Sequence, residues 1–152
     1  MYRRILVPLE RKGGAEGHMR HAAALASRVG AEITLLRVIT VVPSEDPFSK
    51  RVQIEAGSSG ARRKAEAEEY VDQLADQLQG EGVNAKPAVV ISGRAEDEAI
   101  VEYAAELGSD LVVLPNQQRS LVSRWLQGNV TAKVQRRSEI PVLLVRDGGK
   151  GG

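Results

Sequence analysis

Cysteine is absent, which excludes disulfides, thiolate nucleophiles and thiolate metal sites. Histidine is almost absent: His18 and His21 are three residues apart, too close for the i, i+4 pair that holds zinc, and there is no third. No metal site is expected. Aromatic residues make up only 3% of the chain, too few for a platform on which single-stranded nucleic acid would stack. Neither sign of charge dominates, since 21 Lys and Arg face 20 Asp and Glu for a net +1, so neither nucleic acid nor an anionic membrane is an expected partner. Long apolar runs are missing too. The start, MYRRILVPLE, is too short for a signal peptide and no later stretch reaches transmembrane length, so a cytoplasmic location is expected.

What is present fits one compact domain. At 152 residues, 42% of them hydrophobic, the chain can bury a sizeable core. A domain over 1–147 is expected, with 148–152 (GKGG preceded by Gly148) as a flexible tail. Apolar runs and helical periodicity alternate along it. Arg3 to Leu9 reads as a strand and Glu10 to Gly14 as a polar turn. A helix from Ala15 carries Met19, Ala22, Ala23, Ala26 and Val29 on one face and stops at Gly30. A second strand spans Glu32 to Ile39. Thr40 to Gly60, with Pro43, Pro47, Gly57 and Gly60, reads as an irregular loop of unusual length. A charged helix from about Ala61, with Ala67, Tyr70, Val71, Leu74 and Leu78 on one face, ends at Gly80. The third strand is Ala85 to Ile91, and a helix bearing Ala99, Ile100, Tyr103, Ala104 and Leu107 closes at Gly108. Leu111 to Leu114 is a buried strand, followed by a polar loop, a helix from Asn129 to about Arg137, and a last strand from Ile140 to Val145.

Strands and helices alternate without a break, which predicts an α/β fold: a five-stranded parallel sheet with helices on both faces. Proline orders the strands. Pro87 lies within the third strand and Pro141 at the start of the fifth, and proline is tolerated mainly at edges and strand starts. The first and fourth strands, apolar throughout, belong in the centre. Order 3-2-1-4-5 satisfies these constraints and puts the topological switch between strands 1 and 4, where such sheets bind ligands outside the carboxyl ends. The loops Pro8 to Gly14 and Pro115 to Gly128 meet there.

The stretches RRILVPLE, LLRVI, GSDLVVL and GNVTAKVQRRSEIPVLLVR together resemble a universal stress protein domain over nearly the whole chain. The resemblance implies the same Rossmann-like fold and a homodimer made by pairing last strands, here Pro141 to Val145. Some members of that family bind ATP through Gly-x2-Gly-x9-Gly-Ser/Thr after the fourth strand. Pro115, Gln118, Gly128 and Asn129 occupy those four positions, so one of four matches. Glu10 stands where an aspartate normally ends the first strand, and Val38 matches a position whose backbone meets adenine. The candidate nucleotide-binding set is therefore Pro8, Leu9, Glu10, Val38, Pro115, Gln118, Arg119, Gly128, Asn129 and Val130.

Pro115 has no N–H to give a phosphate or ribose. Gln118 puts a side chain where glycine lets backbone approach a ligand. Asn129 is expected to cap the helix that follows, whose terminus keeps a partial positive charge for an anion. Arg119 and Arg124 read as solvated loop charges, with phosphate contact as the alternative. Trp125 reads as a packing anchor, Gly13-Gly14 as an ordinary turn and Arg62 to Glu69 as a solvated helix face. Glu10 has no nucleophile–base pair around it, and Glu96, Asp97 and Glu98 suit a helix start structurally. The expected function is a non-catalytic stress-response module with no cofactor and no glycine-loop ATP binding. The alternative is a nucleotide switch holding ATP, ADP or AMP through altered contacts. An enzyme such as a slow ATP hydrolase has the least support.

Overall fold

The computed structural model describes residues 2–10, 16–41, 57–116 and 129–146, with the backbone alone at 57–59. Five strands, β1 (Arg4–Pro8), β2 (Glu32–Thr40), β3 (Asn84–Ser92), β4 (Leu111–Asn116) and β5 (Val142–Arg146), form one parallel sheet in the order β3-β2-β1-β4-β5. The expected order and parallel sense are both met. Four helices are described: α1 (Gly17–Val29), α2 (Gly57–Gly80), α3 (Glu96–Leu107) and α4 (Val130–Arg137).

Alternation along the strands builds two cores, one on each face. Ile5, Val7, Leu9, Ile33, Leu35 and Val113 pack against Met19 and Ala22 of α1 and Val71 and Leu78 of α2. Leu6, Leu36, Val38, Val112 and Leu114 pack against Ile100 and Ala104 of α3 and Val130 and Val134 of α4. Because both faces are covered, β1 and β4 read as unbroken apolar runs. Gly30 and Gly108 take left-handed backbone, φ 72° and 69°, at the ends of α1 and α3.

Most element bounds lie within two residues of the sequence reading, β5 for instance starting at Val142 and not Ile140, and two differences bear on the site. Helix α2 begins at Gly57, inside the stretch expected to be irregular. Glycine and serine are poor helix formers, but adding turns to an existing helix is far easier than nucleating one. The rest of that expected loop, 42–56, lies outside the described residues. Strand β4 runs on through Pro115 and Asn116, which pair with Val145 and Arg146 of β5, so Pro115 is strand and not loop. Proline is admissible there because Val112 N–H donates to Pro141 C=O at 3.0 Å, which turns the even-numbered residues of β4 toward β5 and Pro115 the other way.

At the amino ends of the central strands, Asp110 closes the fold. Its carboxylate accepts from Arg3 N–H at 2.8 Å and Arg4 N–H at 3.1 Å, while Arg4 Nη1 donates to Leu107 C=O at 3.2 Å. On the α3–α4 face, the buried Asp97 carboxylate meets Arg137 Nε at 3.1 Å, and Glu98 meets Arg137 Nη1 at 3.6 Å. The acidic start of α3 thereby fastens the last turn of α4.

Candidate functional site

The crevice at the switch point is shaped by two missing hydrogen bonds. Leu9 N–H donates to Leu36 C=O at 2.8 Å, so the odd residues of β1 turn to β2 and the even ones, Pro8 included, turn to β4. In β4 the odd residues, Pro115 included, turn to β1. Pairing between these strands covers Ile5↔Leu111 and Leu6↔Val112 and then stops. The next two rungs would need a Pro8 N–H for Val113 C=O and a Pro115 N–H for Pro8 C=O. Neither exists. The hydrogen-bonded pairing of β1 with β4 ends at that point, and both prolines turn their donor-less nitrogens to the space between the strand ends.

Of the two carbonyls that lose these donors, that of Pro8 is taken up from the flank, and the neighbouring Leu9 and Pro115 carbonyls are held by side chains as well. His18 is buried at the start of α1, and its Nε2 lies 2.8 Å from Pro8 C=O, the acceptor that Pro115 cannot serve. With a carbonyl as partner, Nε2 must carry the proton. Arg37, buried on β2, donates from Nη1 to Leu9 C=O at 3.2 Å. The Thr131 hydroxyl of α4 lies 3.4 Å from Pro115 C=O and ties the start of α4 to the end of β4.

Below the mouth, the Tyr70 hydroxyl of α2 donates to Glu16 Oε2 in front of α1. Its pKa is held above the ordinary tyrosine value by burial first, then by the hydrogen bond and charge of Glu16, with Arg37 opposing. Arg37, Tyr70 and Glu16 thus join β2, α2 and α1 beneath the exit of β1.

Of the residues singled out from the sequence, Pro8, Leu9, Val38 and Pro115 sit at the carboxyl ends of β1, β2 and β4, with Glu10 just beyond β1. Val38 is 5% exposed with its side chain in the α3–α4 core, so it can offer a ligand only main chain. Val130 is likewise in that core. Gln118, Arg119 and Gly128, together with Arg124, Trp125 and Gly13-Gly14, lie outside the described residues.

Asn129 requires a correction. It precedes α4 as expected, and its C=O accepts from Lys133 N–H at 3.0 Å. Its side chain makes no capping hydrogen bond, because its backbone is left-handed (φ 58°, ψ 34°) and an N-cap side chain reaches N2 or N3 from the extended region. Asparagine is one of the few residues that tolerates this conformation without glycine's freedom.

His18, Arg37, Tyr70 and Thr131 were not singled out for the site by sequence reasoning. Two of them carried a signal. Arg37 is the only charge within the apolar run Ile33–Ile39, and His18 shares the i, i+4, i+8 row with Ala22 and Ala26. Among the described residues no group of three or more metal-ligating side chains occurs, and no helix is long and apolar enough to cross a membrane.

Comparison with known proteins agrees with this architecture. The model of the universal stress protein family matches residues 1–146. A universal stress protein of Methanocaldococcus jannaschii is 26% identical over 157 residues, covering 96% of this chain and 96% of that protein. Its solved structure superposes with a TM-score of 0.73 at 25% identity, covering 96% of each chain. UspA from Lactobacillus plantarum superposes with a TM-score of 0.74 at 23% identity, over 95% of this chain and 98% of that one. A universal stress protein of Archaeoglobus fulgidus, solved in complex with dAMP, superposes with a TM-score of 0.62 at 20% identity, over 94% of this chain and 97% of the other. By sequence and by fold, the chain belongs to the universal stress protein family.

Proposed function

We propose that this protein is a non-catalytic, cytoplasmic regulatory module that works as a homodimer and does not grip ATP through a glycine loop. The pair of prolines at the crevice carries this reading. A triphosphate clamp needs main-chain donors, and both strand ends nearest the gap lack them, while their carbonyls are already engaged by His18 and Thr131. The dimer would form along β5. Four of its five residues, Val142–Val145, are apolar and half-buried, and the one charge, the exposed Arg146, stands at its end, so the strand has little to protect an open edge. Sedimentation equilibrium should return twice the chain mass, and mass spectrometry of the purified native protein should find no nucleotide. A monomer, or a stoichiometric nucleotide, would overturn the reading.

One observation favours a second reading, in which the crevice holds a nucleoside monophosphate. The first turn of α4 has no side-chain cap, so its amides and the helix dipole remain suited to a single anionic group. The relative solved with dAMP gives this reading a precedent of the right size. AMP would then bind better than ATP. Replacing Pro115 and Gln118 by glycine would add a donor and remove a side chain. One hydrogen bond to a charged group contributes ~1.5–3 kcal/mol, so under this reading ATP affinity should rise by at least about tenfold. No change would count against it.

A further inference from the structure

The other edge of the sheet, β3, is open over a short and well-defined length. Val41 N–H donates to Ser92 C=O at 2.8 Å, so the even residues of β3 turn to β2 and the odd ones, Ala85, Pro87, Val89 and Ile91, turn outward. The amino half of this edge is blunted: Gln79 Nε2 takes the Ala85 carbonyl at 2.7 Å, Pro87 has no N–H, and Lys86 lies between them. Val89 and Ile91 keep outward N–H and C=O groups with no strand beside them among the described residues. Ile91 is 53% exposed and Val41 beside it 47%, the two large exposed hydrophobic side chains of the described chain.

A cavity of about 270 Å³ adjoins this open length on the α3 face. It exists because α3 packs on β2 and α4, and leaves the margin of β3 bare. Val90, Ala99 and Tyr103 line it, with Glu102 and Glu106 on its rim. Arg94 neutralises Glu102 at 3.2 Å, whereas Glu106 has no ion-pair partner among the described residues.

We propose that Val89–Ile91 is a port for strand addition that takes an extended peptide carrying a lysine or arginine. The peptide's main chain would pair with the outward groups of Val89 and Ile91. Alternate side chains of an added strand fall on the α3 face. There a basic side chain would lay its aliphatic stem over Val90 and Tyr103 and bring its head to Glu106. An acidic peptide would meet an uncompensated carboxylate instead. The port is independent of whether β5 pairs with a second copy.

The test is a titration of ¹⁵N-labelled full-length protein with a capped seven-residue peptide of alternating valine and lysine. The amides of Val89 and Ile91 should shift and gain protection from exchange. Glu106→Lys, a surface change, should weaken binding by about two- to fivefold, the worth of one exposed ion pair, and so should glutamate in place of the peptide's lysines. N-methylation of the peptide backbone should abolish binding. Absence of shifts at millimolar peptide, shifts centred on β5, or an affinity indifferent to Glu106→Lys would overturn the proposal. Shifts at Val89 and Ile91 that grow with protein concentration alone would also overturn it, by making the occupant a second copy.

Discussion

Arg37 on β2, His18 on α1 and Tyr70 on α2 are polar side chains set among apolar layers, and each does a job that an apolar residue could not. Arg37 and His18 satisfy carbonyls at the exit of β1, and Tyr70 links α2 to Glu16. Because burial and Glu16 favour the neutral phenol, Tyr70 contributes stability that is fully present below the ordinary tyrosine pKa of about 10 and is lost as pH rises beyond it. Tyr70→Phe should therefore flatten the fall in urea midpoint between neutral and strongly alkaline pH; an unchanged slope would place that dependence elsewhere. Asp110 accepts from two backbone N–H groups on one carboxylate. Asp110→Ala should cost about 2 kcal/mol in urea unfolding, the scale of hydrogen bonds to a charged group reduced by partial exposure. His18 was read from the sequence only as a zinc candidate and dismissed, and its role could not be read because its partner is a main-chain carbonyl on another element.

At the scale of elements, most of the layout is legible. Pro87 and Pro141 placed strands 3 and 5 at the edges, and the runs Ile5–Val7 and Leu111–Leu114 placed strands 1 and 4 at the centre. Legibility ended where one residue serves two elements. Pro115 lies next to an apolar run and looks like the start of a loop, yet its pairing with Val145 keeps it in β4. Asn129 has a capping side chain, but a left-handed backbone, which no propensity reveals, removes the cap. The acidic start of α3 suited the helix dipole as expected, while the ion pair between buried Asp97 and Arg137 is long-range and invisible in sequence. Arg137→Met should cost about 1–2 kcal/mol, because it leaves the Asp97 carboxylate buried without its cation, discounted for the exposed half of the pair. Asp97→Asn in the same background should recover part of that loss in a double-mutant cycle read by urea unfolding.

At the scale of the whole molecule, the sheet has a closed end, a parted end and two edges of different character. Asp110 and Arg4 close the amino end between β1 and β4, and the two prolines end the pairing of the same strands at the carboxyl end. The crevice there belongs to the strand order, and sequence at two positions removes the ladder's next two donors. Pro115 alone was recognised in advance as a lost donor. The partnership with Pro8 becomes visible only when the register shows that both were due to supply the next rungs of one ladder. Family membership and topology leave room for a nucleotide, and the proposed function turns on the two donors missing at Pro8 and Pro115. The most direct measurement is calorimetric titration of the native protein with ATP. Strand ends that lack donors at Pro8 and Pro115 predict no saturable heat up to millimolar ATP, with any weak binding confined to AMP. Tight, stoichiometric ATP binding would contradict the account, which rests on the donors missing at Pro8 and Pro115.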